Sequence, residues 1–212
     1  MLYLFLHPER LDEGFRDLCC RYIPEWRADI ISTYRSYNDR KLSALAYLLL
    51  VKGLKEKSVF KGVPDFQYGE YGKPYLIGYE GVEFNISHCS GGVAVVVDDV
   101  PVGVDIEDVT PFDNEIAKRV CNSEEYDMVC SSNSPAHEFC RLWTMKEAVL
   151  KYYGVGIDDV IVKNILTNED TDLKSYRLND GEIFLSVCRQ KQTNYESDEL
   201  FPSFCQSVGD IL

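Results

Sequence analysis

The sequence predicts a mixed α+β protein read as two halves. Strand-like alternation recurs at 82–87, 93–97 and 102–109, and helical apolar spacing recurs at 39–52 and 135–153. A polar Asp98-Asp99 followed by Pro101 then marks a junction near 98–102, giving an N-terminal half 1–98 and a C-terminal half 99–212. The same junction would also serve as an ordinary surface turn within one domain.

In chain order, MLYLFL reads as a first β-strand. No basic residues precede its apolar run and no small-residue cleavage site follows, so a cytoplasmic protein is expected. Leu42, Leu45, Ala46 and Leu49 define the 39–52 helix, with Asn38 or Asp39 as its cap and Gly53 just past its end. The YGEYGKP stretch at 68–74 is turn chemistry. The 82–87 and 93–97 strands, joined through Gly91-Gly92, form a hairpin. Along 102–109, Val102, Val104 and Ile106 take one face while Gly103, Asp105 and Glu107 take the other. Ser134, Pro135 and Gly154 bracket the long helix at 135–153. Strands are expected near 160–165 and 183–188, and only 194–199 looks disordered.

The chain has 212 residues, 45% hydrophobic and 27% charged, which suits one large or two small globular domains. Its longest apolar runs, 44–51 and 93–97, fall short of the ~20 residues that span a bilayer. Eight cysteines without a C-x-x-C pair disfavour a zinc ribbon and read as reduced thiols. A net charge of −13 argues against generic binding to nucleic acid or to an anionic membrane. One segment runs against this balance: 27–61 holds eight Lys/Arg and three Asp/Glu, and is where an anionic group could dock.

Four constellations could carry chemistry. Asp105 and Glu107 leave one strand face together and repel unless a cation sits between them; the alternative is a solvated face on an edge strand. In the long helix, Lys146 falls amid Phe139, Leu142, Trp143, Leu150 and Tyr153, so it either snorkels or is held by a buried anion. Glu147 and Lys151 flank that face, where an exposed i, i+4 pair would be worth only ~0.3–0.5 kcal/mol. Ser87 and His88 end the FNISH strand. Adjacent strand residues point oppositely, which weakens a nucleophile–base reading, while His88 suits phosphate contact, proton transfer or a purely structural place. Arg40, Lys41 and Ser43 at a helix start suit a phosphate or simply a soluble first turn, and Lys73 adds a cation in the GKP turn. Glu125 is a candidate general base, and lying three residues after Asn122 it also fits a capping arrangement.

Taken in order, Gly72-Lys73-Pro74, Phe84–His88, Gly103–Glu107 and the Trp143–Lys151 stretch WTMKEAVLK resemble the Sfp-type branch of the 4′-phosphopantetheinyl transferase superfamily, over roughly residues 40–155. The resemblance implies a pseudo-dimer of two similar α+β halves with the active site in the cleft between them. It implies transfer of the phosphopantetheine arm of coenzyme A to a serine hydroxyl of an apo acyl or peptidyl carrier protein, with release of adenosine 3′,5′-bisphosphate. By the same resemblance Asp105, Glu107 and Glu147 bind Mg²⁺, Lys151 stabilises the leaving phosphate and His88 contacts a coenzyme A phosphate. Arg40, Lys41 and Ser43 meet the 3′-phosphate region, with Lys73 and Ser87 near the nucleotide. The base is Glu147, Glu125 or a metal-bound water. A monomer is expected. Two departures stand out: Cys89 where many relatives carry a second serine, and a lysine-poor PEWRADII at 24–31. Other readings of the same residues are a metal-dependent phosphodiesterase and a silent module binding coenzyme A or a carrier domain.

Overall fold

Apolar alternation along short segments, interrupted by two long amphipathic helices, resolves into two sheets with one long helix against each. In the computed structural model, which describes residues 1–11, 15, 21–167, 170–191, 202–205 and 207–211, the first half contains β1 (Leu2–Leu6), α1 (Glu25–Ser32), α2 (Tyr37–Glu56), β2 (Phe66–Tyr68), β3 (Pro74–Leu76), β4 (Glu83–Cys89) and β5 (Gly92–Asp98). There follow β6 (Val102–Asp108), α3 (Asn114–Val120), α4 (Ser123–Ser131), α5 (Pro135–Tyr153), α6 (Asp159–Asn164), β7 (Thr171–Leu178), β8 (Ile183–Gln190), β9 (Pro202–Cys205) and α7 (Val208–Ile211).

One sheet runs β4-β5-β1-β9, the other β6-β8-β7, and β2-β3 form a separate hairpin. Among the described residues every pairing is antiparallel except β1 with β9, which is parallel and sets Leu2 opposite Pro202. A strand from the end of the chain thus completes the sheet built by its beginning.

The layers follow from which faces are apolar. Leu45, Leu49 and Leu54 of α2 pack on Phe5, Val93 and Val95. The opposite face of that sheet, Leu2, Leu4, Ala94 and Val96, meets Val102, Val104, Ile106, Leu185 and Val187 of the second sheet. Helix α5 covers the second sheet's outer face, Ala148 and Val149 against Cys188. The result is helix, sheet, sheet, helix.

Gly103 fixes the last of these contacts. A Cβ there would run into the backbone of Ala148 and Tyr152, so α5 crosses β6 at backbone range only because the residue is glycine.

Several expectations change in detail. Helix α2 is capped by Ser36, whose Oγ accepts from Asn38 N at 3.1 Å and Asp39 N at 3.4 Å, two to three residues before the expected cap. The helix also continues through Gly53 to Glu56, because Gly53 is a packing residue: a Cβ would stand 2.7 Å from Val97 Cγ2 and 2.9 Å from Tyr3 Cε2. Ser134 precedes α5 without a side-chain cap, while Gly154 ends it at φ 66° as expected. The strand expected at 160–165 is instead α6 and a short 3₁₀ turn; Asp158 Oδ1 accepts from Ile161 N at 3.2 Å and starts a helix that periodicity alone misreads. The 194–199 stretch, Cys19 and Cys20 lie outside the described residues; the six cysteines among the described residues are free thiols. No helix among the described residues is long and apolar enough to cross a membrane.

Candidate active site

The site forms where β4, β6 and α5 meet. The β6 alternation turns Asp105 and Glu107 away from the inter-sheet core and toward α5, where Glu147 and Lys151 lie one turn apart. Lys151 does not make the exposed pair with Glu147 that helix spacing suggests. Its Nζ instead donates to Asp105 Oδ1 at 2.6 Å and to Ser87 Oγ at 2.9 Å. Ser87 Oγ in turn donates to the same Oδ1 at 2.8 Å. Asp105 is 1% exposed, and its other oxygen, Oδ2, is buried with no hydrogen-bond partner.

The electrostatics mark a carboxylate-rich pocket. Burial pushes the Glu107 carboxyl from 4.5 up to about 7, with Asp105 and Glu147 adding to the effect while Lys151 and a hydrogen bond from Trp143 oppose it. Glu147 is likewise raised, first by burial and then by Asp105, against the pull of Lys151. His88, on the outward face of β4, is held below its ordinary pKa by desolvation and by Lys151. Asp39 acts on it in the opposite sense, which brings the start of α2 to the same region.

Among the described residues no three or more His, Cys, Asp and Glu side chains stand in a grouping that would hold a metal ion as they lie. The donor set nonetheless suits a hard divalent cation. Asp105 Oδ2 is an orphaned buried acceptor, and three carboxyls share a region with the Lys151 ammonium against them.

The start of α2 forms the second part of the site. Ser43 Oγ accepts from Arg27 Nη2 at 2.9 Å, and Arg27 Nε is buried without a partner. Lys41 is buried, its Nζ 5.9 Å from the Tyr37 ring centre; Arg40 is exposed and donates to Tyr34 O at 2.7 Å. Arg27 is a cation that motif reading missed, the one base in the lysine-poor 24–31 stretch. The rest of the basic segment lies elsewhere: Lys55 is about 24 Å along the helix from Asp39 at 1.5 Å per residue. There Lys52 pairs with Glu56 at 2.7 Å, and Lys61 with Glu80 at 3.4 Å.

The remaining two candidates are otherwise engaged. Lys73 Nζ donates to Tyr152 O at 2.9 Å and Val102 O at 3.3 Å, pinning the β2-β3 hairpin onto α5, and desolvation lowers its pKa. Glu125 completes the capping box with Asn122 and accepts from Lys146 at 2.8 Å. Lys146 is 0% exposed, and the half-buried Glu125 is the anion its apolar surroundings require; Val162 O, at 2.6 Å, takes a second of its protons.

Comparison with known proteins gives one answer. A profile of the 4′-phosphopantetheinyl transferase superfamily matches residues 101–204, the part that supplies all three carboxylates and Lys151. The chain is 31% identical to the 4′-phosphopantetheinyl transferase gsp of Aneurinibacillus migulanus, over 82% of its own length and 74% of that protein's. It is 42% identical to the 4′-phosphopantetheinyl transferase psf-1 of Bacillus pumilus, over 41% of this chain and 38% of that protein. To a 4′-phosphopantetheinyl transferase of Bacillus subtilis it is 31% identical, over 68% and 66% respectively. The matches to the latter two relatives thus span less than two thirds of their length.

Proposed function

Because this chain belongs to the 4′-phosphopantetheinyl transferase superfamily, we propose that it transfers the 4′-phosphopantetheine arm of coenzyme A to a serine hydroxyl of an apo acyl or peptidyl carrier protein, in a Mg²⁺-dependent reaction. The observation that carries the reading is the Lys151–Asp105–Ser87 contact, in which three separate motifs meet on one carboxylate.

In the reaction the serine oxygen bonds to the β-phosphorus of coenzyme A and the bond to the bridging oxygen breaks, freeing adenosine 3′,5′-bisphosphate. Asp105, Glu107 and Glu147 would hold a Mg²⁺ ion, which when bound supplies positive charge beside the diphosphate. Arg40, Lys41 and Ser43 at the start of α2, with Arg27 of α1 beside Ser43, receive the 3′-phosphate region, aided by the helix N-terminus. His88 lies close enough to Lys151 to contact a neighbouring phosphate, and Lys151 exchanges Asp105 for the charge that develops on the leaving phosphate. Glu147 accepts the serine proton. It faces the same pocket as Asp105 and Lys151, whereas Glu125 is already committed to Asn122 and Lys146. We take 1–98 and 99–212 as the two halves, with β9 of the second returning to the edge of the first half's sheet, of a cytoplasmic monomer that acts on neither nucleic acid nor membrane; the net charge of −13 supports the latter exclusion.

The test is mass spectrometry of several apo carrier proteins incubated with the protein, coenzyme A and Mg²⁺. A phosphopantetheine adduct on a carrier is expected. Absence of an adduct on every carrier overturns the reading, and carrier-independent hydrolysis of coenzyme A would replace it with a phosphodiesterase.

A further inference from the structure

Strands β4 and β6 are edge strands of different sheets and share no backbone ladder. The free edge of β6 therefore has amides that must find other partners. Asn85 supplies one: its Oδ1 accepts from Val104 N at 3.0 Å, and the residue is 4% exposed. Two positions on, on the same face of β4, Ser87 donates to Asp105 Oδ1 and accepts from Lys151 Nζ. The two side chains thus grip adjacent residues of β6, one by its backbone and one by its carboxylate. With its proton on Asp105 and an oxygen lone pair on Lys151, the Ser87 hydroxyl faces the carboxylate site and is 7% exposed.

We infer that Asn85 and Ser87 act as a two-point clamp that fixes the Asp105 carboxylate and the Lys151 ammonium relative to each other, which makes them positioning residues for the carboxylate site. Strand β6 is held on its other side by the β8 ladder, which fixes its direction and register. The ladder leaves the distance between β6 and the neighbouring sheet's edge unset. Asn85 sets that distance at Val104, directly before the buried acid. Ser87 then fixes the side-chain rotation, presenting Oδ1 to Lys151 and leaving Oδ2 free for a cation. Groups that orient the ligands of a metal in this way typically change affinity or activity about 10–100-fold when removed.

The inference rests on the proposed transferase reading for its kinetic arm only; a binding arm tests it without turnover. In the full-length protein, Ser87→Ala, Ser87→Thr and Asn85→Ala are compared with wild type. The half-saturating Mn²⁺ concentration is measured by electron paramagnetic resonance in the absence of substrates. Where wild type transfers the arm, kcat and the KM for coenzyme A are measured as well. The clamp predicts that Ser87→Ala and Asn85→Ala raise half-saturating Mn²⁺ about 10-fold or more and lower kcat by a similar factor, with KM for coenzyme A moving less than about threefold. Ser87→Thr, which keeps the hydroxyl, should recover most of both. A KM increase of about 10-fold with Mn²⁺ binding and kcat unchanged would make Ser87 a nucleotide contact and overturn the inference, as would a less than threefold change in Mn²⁺ affinity in Ser87→Ala. If Asn85→Ala does not fold, the serine pair decides. If wild type forms no adduct, the transferase reading fails and Mn²⁺ binding still decides the clamp.

Discussion

Lys146 Nζ, wholly enclosed by protein, lies 2.8 Å from Glu125 Oε2, so the helix that presents Glu147 is tied to α4 by a desolvated ion pair. Removing one partner strands the other charge. Lys146→Met should cost about 3 kcal/mol in urea unfolding, and the double variant Glu125→Gln/Lys146→Met should recover part of that loss, since Gln keeps the cap acceptor. A double variant less stable than Lys146→Met would contradict this.

Gly103→Ala should cost about 2–3 kcal/mol, because its methyl would meet the backbone of Ala148 and Tyr152, which cannot rotate away. Displacing α5 also moves Glu147 and Lys151 from Asp105, so transfer should fall further than stability explains. A thermal midpoint equal to wild type would show that α5 is not held at backbone range.

Lys151→Ala should lower kcat for transfer about 10²–10³-fold, the usual effect of losing one preorganised group that stabilises developing charge. It also removes the ammonium that competes for Asp105 Oδ1 in the cation-free protein. Calorimetric titration should therefore find Mg²⁺ binding at least as tight as in wild type. Weaker binding would mean that Lys151 supports the cation site rather than competing with it.

Glu107 titrates near 7 in the folded protein against an ordinary 4.5. Between those values the folded chain keeps a proton that the unfolded chain has lost, so this group's contribution to stability is present below 4.5 and lost as pH rises through 7. In chelator, wild type should lose about 1–3 kcal/mol relative to Glu107→Gln between pH 5 and 8. Added Mg²⁺ should reverse the trend. A relative gain in stability with rising pH in chelator would have the wrong sign.

Local pattern made the chemistry-bearing elements legible. The alternation at 102–109 placed Asp105 and Glu107 on one face, and the 135–153 periodicity both set α5 and exposed Lys146 as a lysine needing an anion. What stayed hidden depended on contacts distant in sequence. Gly53 reads as a helix terminator until Tyr3 and Val97 are seen against it, and β7, with Asp172, Lys174 and Arg177 spread over both faces, lacks the apolar alternation that marks its neighbours. Lys151 at i+4 from Glu147 suggested a surface pair; only the approach of β6 at Gly103 brings Asp105 within its reach. Asn85 stood inside the Phe84–His88 motif but its role was illegible, because an amide that accepts from another strand's edge has no pattern of its own.

The parallel match of Leu2 with Pro202 has a consequence for biosynthesis. The outer neighbour of β1 leaves the ribosome two hundred residues after β1 does, a delay of tens of seconds at ordinary elongation rates. Through that interval the nascent chain carries an open, apolar edge that a chaperone or another chain can occupy, so yield in a cell should depend on how fast translation reaches β9.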